Sequence, residues 1–267
     1  MSFAEAPEAS GLPRRVGVVG AGVMGSGIAQ ALATSGIPTV CHDRDPAALA
    51  AARRRLEEGR YGLRASVEGG RLAPEEADGV RQRLSWTGEL AEAADAELVL
   101  ECVPEALDLK VRVFRELDRL APPGAVLASN TSGFPVAALA PATDRPERVL
   151  VWHWASPAVV MRFAEIVVRP ETDPAAVALV VATARHCGRR PVVVRDQPTA
   201  WGFVANRIYA AMLREARRVV EEGVAGTAEI DQLLVDCFRW PVGPFGMARG
   251  AARGFEEGGG GDGNERR

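Results

Sequence analysis

Short apolar runs alternate with stretches of helical spacing over the first 195 residues of the chain. Runs at 15–20, 38–42, 97–102, 125–128, 148–152, 163–168 and 191–194 are rich in Val, Ile and Leu and read as buried strands. Apolar positions at helical spacing fill 25–35, 46–58, 74–83, 108–120 and 174–187. Asp45-Pro46 and Asp173-Pro174 each place a capping residue before a proline at the first helical position. Alternation of this kind builds βαβ units, so the pattern predicts an α/β fold with a doubly wound, mainly parallel sheet. The segment 46–83 carries Arg53, Arg54, Arg55, Arg60, Arg64 and Arg71 and reads as a helical pair standing off the sheet, its arginines on a solvated face. After Asp196 the pattern changes: 203–222 and 226–239 are helical by spacing with no strand between them. A second, smaller α-helical domain is therefore expected over 197–247, following a first domain over 1–196. From Ala248 to the end the text is Gly-rich, with little to bury, and 248–267 is expected to be disordered.

Composition narrows the class without naming a chemistry. A chain of 267 residues with 47% hydrophobic and 25% charged residues has the make-up of a soluble globular protein. A net charge of −3 gives no footprint for nucleic acid or an anionic membrane as partner. The sequence holds no apolar run approaching the ~20 residues of a membrane span, and residues 1–8 do not resemble a leader. Cys41, Cys102, Cys187 and Cys237 lack metal-ligand spacing, so no metal site is expected; they read as small thiols in a reducing, cytoplasmic compartment. Lys110 is the single lysine among many arginines, which hints at a place where a compact ammonium is needed.

Residues 16–27, Val-Gly-Val-Val-Gly-Ala-Gly-Val-Met-Gly-Ser-Gly, constrain function most. A β-branched run meets Gly-x-Gly-x-x-Gly at Gly20, Gly22 and Gly25 and leads into a helical pattern. In that context the motif marks a Rossmann-type dinucleotide site. Gly20 permits the turn, Gly22 admits a pyrophosphate close to the backbone, and Gly25 lets helix and strand pack. Gly20, Gly22, Val23, Met24 and Gly25 are thus the candidate cofactor loop, with helix N–H groups facing phosphate. The run Thr39-Val-Cys-His ends in Asp43, eighteen residues after Gly25, where a carboxylate would accept ribose hydroxyls. An acidic group there repels a 2′-phosphate and favours NAD over NADP, with Arg44 as the opposing signal.

Four further pieces fall at strand ends or at the start of the helical domain. They are Glu101-Cys-Val-Pro-Glu105 with Lys110, Ser129-Asn-Thr-Ser132, His153 with Glu165, and Gly202-Phe-Val-Ala-Asn206-Arg207. Ligands of open α/β sheets bind beyond the carboxyl ends of the strands, the edge that also holds the Gly loop. Taken singly, His153 passes for a surface or capping residue, Ser-Asn-Thr-Ser for a turn, and Asn206 for a helix-start residue. Glu165 inside an apolar strand needs a partner, and pairing with His153 would explain the burial of both.

These blocks together resemble the L-3-hydroxyacyl-CoA dehydrogenase family, including short-chain 3-hydroxybutyryl-CoA dehydrogenases. The resemblance runs from about residue 15 to 247 and includes Trp-Pro-Val-Gly-Pro-Phe-Gly-Met at 240–247. It implies NAD-dependent hydride transfer from the 3-hydroxyl carbon of an acyl-CoA. His153 would be the catalytic base, Glu165 the group that holds its imidazole, Ser132 a donor to the reacting oxygen and to the cofactor end, and Asn206 a substrate-orienting residue. Glu105 and Lys110 would lie near the ribose and nicotinamide end of the cofactor, and a homodimer would be expected. Three departures accompany it. The family's His-Phe-Phe-Asn-Pro is His153-Trp-Ala-Ser-Pro157, so Ser156 stands for an asparagine. Its lysine-rich segment becomes Val67-Glu-Gly-Gly-Arg71, and its further helices, which carry most of the dimer contact, give way to the Gly-rich tail. A free hydroxy acid of the gulonate or carnitine kind, a carrier-bound acyl group, or an NAD-binding protein of weak activity remain alternatives at this level.

Overall fold

The computed structural model describes residues 11–256, with 251–256 as backbone alone. The elements run β1 (Val16–Val19), α1 (Val23–Thr34), β2 (Thr39–His42), α2 (Pro46–Glu58), α3 (Leu63–Glu68), α4 (Pro74–Arg83) and β3 (Leu84–Thr87). Next come α5 (Leu90–Ala94), β4 (Leu98–Glu101), α6 (Leu107–Leu120), β5 (Val126–Ser129), α7 (Val136–Leu139), β6 (Val149–Trp154) and β7 (Phe163–Val168). The last are α8 (Pro174–His186), β8 (Arg190–Arg195), α9 (Val204–Glu221), α10 (Thr227–Phe238) and α11 (Pro244–Glu256). Eight strands form one sheet in the order β3-β2-β1-β4-β5-β6-β7-β8. β1 to β6 pair in parallel; β7 runs antiparallel to β6, and β8 is parallel to β7. The reversal at β7 follows from its connection, residues 155–162, which is too short for a parallel crossover.

Alternation along each strand feeds two cores, one on either face. Val16, Val18, Leu98, Leu100, Val126, Ala128, Leu150, Trp152 and Trp154 join α1 and α8 in one cluster. Val19, Val99, Leu127, Val149 and Val151 join α5, α6 and α7 in the other. Both faces are covered, which is why these strands read as unbroken apolar runs. Asp45 and Asp173 cap α2 and α8 as expected, each accepting the N–H two residues on.

The chain divides into two compact units, the first ending at Phe203 and the second beginning at Val204. Residues 197–203 thus belong with the first unit, where the text alone opened the helical domain near 197. Two other expectations are revised. The segment 46–83 does not stand off the sheet: Leu49, Ala52, Leu56, Ala77 and Val80 are buried in the same cluster as Ile28 and Leu32 of α1. It then runs straight into β3, which escaped notice because an edge strand of Leu-Ser-Trp-Thr, half-exposed at its centre, carries no clear alternation. The first part of the Gly-rich tail, 248–256, is helical within α11. Asp231 of α10 accepts the N–H groups of Phe245 and Gly246 and so caps that helix, whose Ala, Arg and Met outweigh its glycines. Residues 257–267 of the expected tail lie outside the described residues. No helix among the described residues is long and apolar enough to cross a membrane.

All four cysteines are free; Cys41 and Cys187 are buried, Cys102 is half-buried and Cys237 is exposed. Burial pushes the Cys41 thiol up to about 12 and those of Cys102 and Cys187 upward as well. Titration with a thiol-reactive chromophore near neutral pH is expected to modify Cys237 rapidly and the other three only after denaturant is added. Rapid modification of a second thiol in the native protein would contradict this burial.

Candidate active site

The Gly loop leaves β1 with Gly20 at φ 106°, a left-handed conformation that a side chain would strain. Its N–H donates to the His42 carbonyl at 2.8 Å. A Cβ on Gly25 would lie 1.8 Å from the Gly20 carbonyl oxygen, so α1 packs directly on the turn. A Cβ on Gly22 meets nothing within 4 Å and would project into open space. Gly22 precedes α1 without a side-chain cap, leaving first-turn N–H groups for an incoming anion. An open approach at Gly22 over uncapped donors is what a dinucleotide pyrophosphate requires, and the residues present fit one. Val23 and Met24 form the first turn of α1 beside it.

Asp43, just beyond β2, accepts the Ala21 N–H at 2.8 Å on Oδ2 and the Asp45 N–H at 3.0 Å on Oδ1. It fixes the Gly turn, and each oxygen retains a lone pair for a ribose hydroxyl. Arg55 closes the same turn from α2, donating from Nη2 to the Ala21 carbonyl at 2.7 Å and from Nε to Ser26 Oγ at 3.1 Å. From sequence Arg55 had been placed on the solvated face. Only its position one helical turn from buried Ala52, and beside Leu56, could have suggested otherwise.

Register carries the polar strand ends to one edge. Val19 pairs with Glu101, Glu101 with Ser129, and Ser129 with Val151. By strand alternation Glu101, Ser129 and His153 all face the α5–α6–α7 side. Glu101 is fully buried, as is Lys110 of α6 at 1% exposure. Lys110 Nζ lies 2.8 Å from Glu101 Oε1, 3.2 Å from Glu105 Oε2 and 3.2 Å from the Val103 carbonyl. Glu101 also accepts the Val103 N–H at 2.6 Å and the Ser129 hydroxyl at 2.6 Å. Burial pushes the Glu101 carboxyl up, while the Lys110 ammonium and these donors pull it down. Glu105 accepts the Thr131 hydroxyl and, at 2.9 Å, the Ser132 N–H. Removing the lysine would strand two carboxylates and cost on the order of 3–5 kcal/mol. Asn130 ties the same loop to β6 by accepting the Trp154 N–H at 2.9 Å. Ser132 is half-buried, and its hydroxyl has no protein partner among the described residues.

His153 and Glu165 are direct cross-strand partners of β6 and β7. Their side chains meet, His153 Nδ1 to Glu165 Oε2 at 2.9 Å, and both residues are buried. Phe163 and Phe203 pack edge-on against the imidazole at 5.3 and 5.7 Å between ring centroids. A carboxylate on Nδ1 selects the tautomer with its proton there and leaves the Nε2 lone pair as a base. Asn206 is exposed in the first turn of α9, in the second unit. Among the described residues no group of His, Cys, Asp and Glu could hold a metal ion. The structure therefore assembles three adjoining constellations: the Gly turn with Asp43, the Glu101–Lys110–Glu105 cluster under Ser132, and the His153–Glu165 pair. Sequence reasoning did not single out Glu101, Ser129 or Thr131 as site residues. An acidic residue inside an apolar strand was the available signal for Glu101, as it was for Glu165.

Residues 15–197 match the family model for the 3-hydroxyacyl-CoA dehydrogenase NAD binding domain, and residues 202–255 match the model for its C-terminal domain. The chain is 37% identical to a probable 3-hydroxybutyryl-CoA dehydrogenase of Bacillus subtilis, over 88% of this chain and 80% of that one. It is 35% identical to 5-formyl-3-hydroxy-2-methylpyridine 4-carboxylate 5-dehydrogenase of Mesorhizobium japonicum, over 86% of this chain and 71% of that one. Among solved structures, the (S)-3-hydroxybutyryl-CoA dehydrogenase of Ralstonia eutropha superposes with a TM-score of 0.83 at 30% identity, covering 92% of this chain and 86% of that one.

Proposed function

This chain belongs to the 3-hydroxyacyl-CoA dehydrogenase family, and from that premise we propose that it oxidises the 3-hydroxyl of a short-chain 3-hydroxyacyl-CoA with NAD as hydride acceptor. The observation that carries this reading is the 2.9 Å contact between His153 Nδ1 and Glu165 at the sheet edge that also bears the Gly turn. When bound, NAD would supply the acceptor for the hydride that leaves C3. Gly20, Gly22, Val23, Met24 and Gly25 would hold its pyrophosphate, and Asp43 its ribose, with a 2′-phosphate disfavoured by the carboxylate. Glu105 would face the ribose and nicotinamide end.

His153 Nε2 receives the proton of the 3-hydroxyl as the carbon–hydrogen bond is lost, so the oxygen ends as a carbonyl. Glu165 keeps the ring oriented and offsets the positive charge that proton brings. Ser132 donates from its hydroxyl to the reacting oxygen, and Asn206 orients the substrate. The second unit exposes Ile208, Leu233 and Phe238, which supports a homodimer formed through that unit. Free cysteines fit a reducing, cytoplasmic setting.

A second reading has a free hydroxy acid as substrate. It is favoured by Arg64 and Arg71, which are occupied within their own segment by Glu58 and by the Ala65 carbonyl, and so are engaged where CoA phosphates would need cations. The Mesorhizobium relative, by its name a dehydrogenase of a pyridine carboxylate, points the same way. NADH formation with 3-hydroxybutyryl-CoA and with free 3-hydroxy acids separates the two. A higher kcat/KM is expected for the thioester, because binding energy from the remote part of the substrate aids the reacting centre. A free acid that turns over as well as the thioester establishes the second reading.

A further inference from the structure

We propose that Arg55 is a positioning residue for the dinucleotide: it aims the N–H groups of Gly22 and Val23 at the pyrophosphate by holding the carbonyl side of the same two peptides. In a trans peptide the C=O and N–H point in opposite directions, so a donor on the carbonyl of one residue orients the N–H of the next. Both peptides here are trans. Arg55 Nη2 donates to the Ala21 carbonyl at 2.7 Å, which turns the Gly22 N–H away from the guanidinium. Arg55 Nε donates to Ser26 Oγ at 3.1 Å, and that hydroxyl gives its own proton to the Gly22 carbonyl at 2.7 Å. The Ser26 N–H reaches the same carbonyl at 2.9 Å, so the Val23 N–H points out of the uncapped end of α1.

The turn needs such a hold. Gly20 stands at φ 106° and Gly22 has no Cβ, so the peptides between them can rotate at little steric cost. Three successive peptides are each held by one side chain: Asp43 on the Ala21 N–H, Arg55 on the Ala21 carbonyl and Ser26 on the Gly22 carbonyl. A guanidinium suits this place because Nε and Nη2 lie in one rigid plane and serve two acceptors at once, which a single ammonium on a flexible stem does less well. Arg55 thus acts on the cofactor through the backbone, with its charge spent on protein oxygens. The inference rests on the reading that the pyrophosphate lies in the opening over Gly22.

The test measures NADH Kd by fluorescence titration and kcat at saturating NAD for Arg55→Met, alone and with Gly22→Ala, in the full chain. Arg55→Met is expected to raise NADH Kd about 10- to 30-fold while kcat falls less than about threefold, because preorganisation of the cofactor loop is what is lost. In the Gly22→Ala background it is expected to add less than about threefold, since both changes act on one contact. The ratio of variant to wild-type Kd is expected to agree within about twofold between low and high salt, as it would not if the guanidinium met phosphate directly. Arg55→Lys keeps the charge and is expected to recover only part of the affinity. Should Arg55→Met fail to fold, Ser26→Ala cuts the relay alone and is expected to raise Kd about threefold, again less than additively with Gly22→Ala. Losses that multiply, a salt-dependent ratio, a wild-type Kd for Arg55→Met or full recovery by Arg55→Lys would overturn the proposal. Normal NADH binding by Gly22→Ala overturns the pyrophosphate reading and this inference with it; weak binding by Gly22→Ala with multiplying losses overturns this inference alone.

Discussion

His153→Gln is expected to lower kcat for 3-hydroxyacyl-CoA oxidation by about a hundred- to ten-thousand-fold, the usual contribution of one positioned general base. That range corresponds to about 2.7–5.4 kcal/mol of transition-state stabilisation. Glutamine is chosen because its amide N–H can still donate to Glu165, so the buried carboxylate keeps a partner. Alanine would leave that carboxylate without its donor and confuse lost chemistry with lost stability. NADH binding is expected to survive, since the Gly turn and Asp43 are built on β1, α1 and β2 and make no bond to β6. Steady-state kinetics together with NADH titration check both halves. A His153→Gln variant with undiminished kcat would falsify the assignment of the base.

The second large effect lies in the Gly turn, where neighbouring glycines are required for different reasons. Gly25→Ala puts a carbon 1.8 Å from the Gly20 carbonyl oxygen, so the backbone of the turn must move. Overpacking of this kind costs about 1–3 kcal/mol, and NADH affinity is lost along with several degrees of Tm. Gly22→Ala meets no protein atom within 4 Å, so Tm is expected to hold. Its methyl group would occupy the approach proposed for the pyrophosphate, and NADH Kd is expected to rise about a hundredfold, or about 2.7 kcal/mol. Thermal unfolding and NADH titration of both variants separate the cases. A Gly22→Ala protein that binds NADH normally would remove the pyrophosphate from that opening.

Much of this was legible in the text because periodicity and local chemistry agreed. The strands from β4 to β7 are buried on both faces and read as apolar runs, and Asp-Pro pairs marked two helix starts at the right residues. β3 was not legible, since an edge strand with one exposed and one half-buried centre has too little apolar surface to stand out. Helix α11 was misjudged because glycines suggested disorder, while the capping Asp231 lies thirteen residues upstream of Pro244 and leaves no local mark. At the site, Gly20, Gly22 and Gly25 followed from backbone requirements alone. The His153–Glu165 pair followed from the cost of burying a carboxylate without a partner. Three-dimensional convergence is what the text could not give. Arg55 looks solvated until its guanidinium is seen on the Ala21 carbonyl.

The decisive measurement is isotopic. 3-Hydroxybutyryl-CoA carrying deuterium at C3 is incubated with the protein and NAD, and the mass of the NADH formed is determined. Hydride loss from C3 beside the His153–Glu165 pair is expected to place the deuterium in the NADH, at a rate that collapses in His153→Gln. NADH free of deuterium, or labelled NADH formed equally fast without His153, would contradict it.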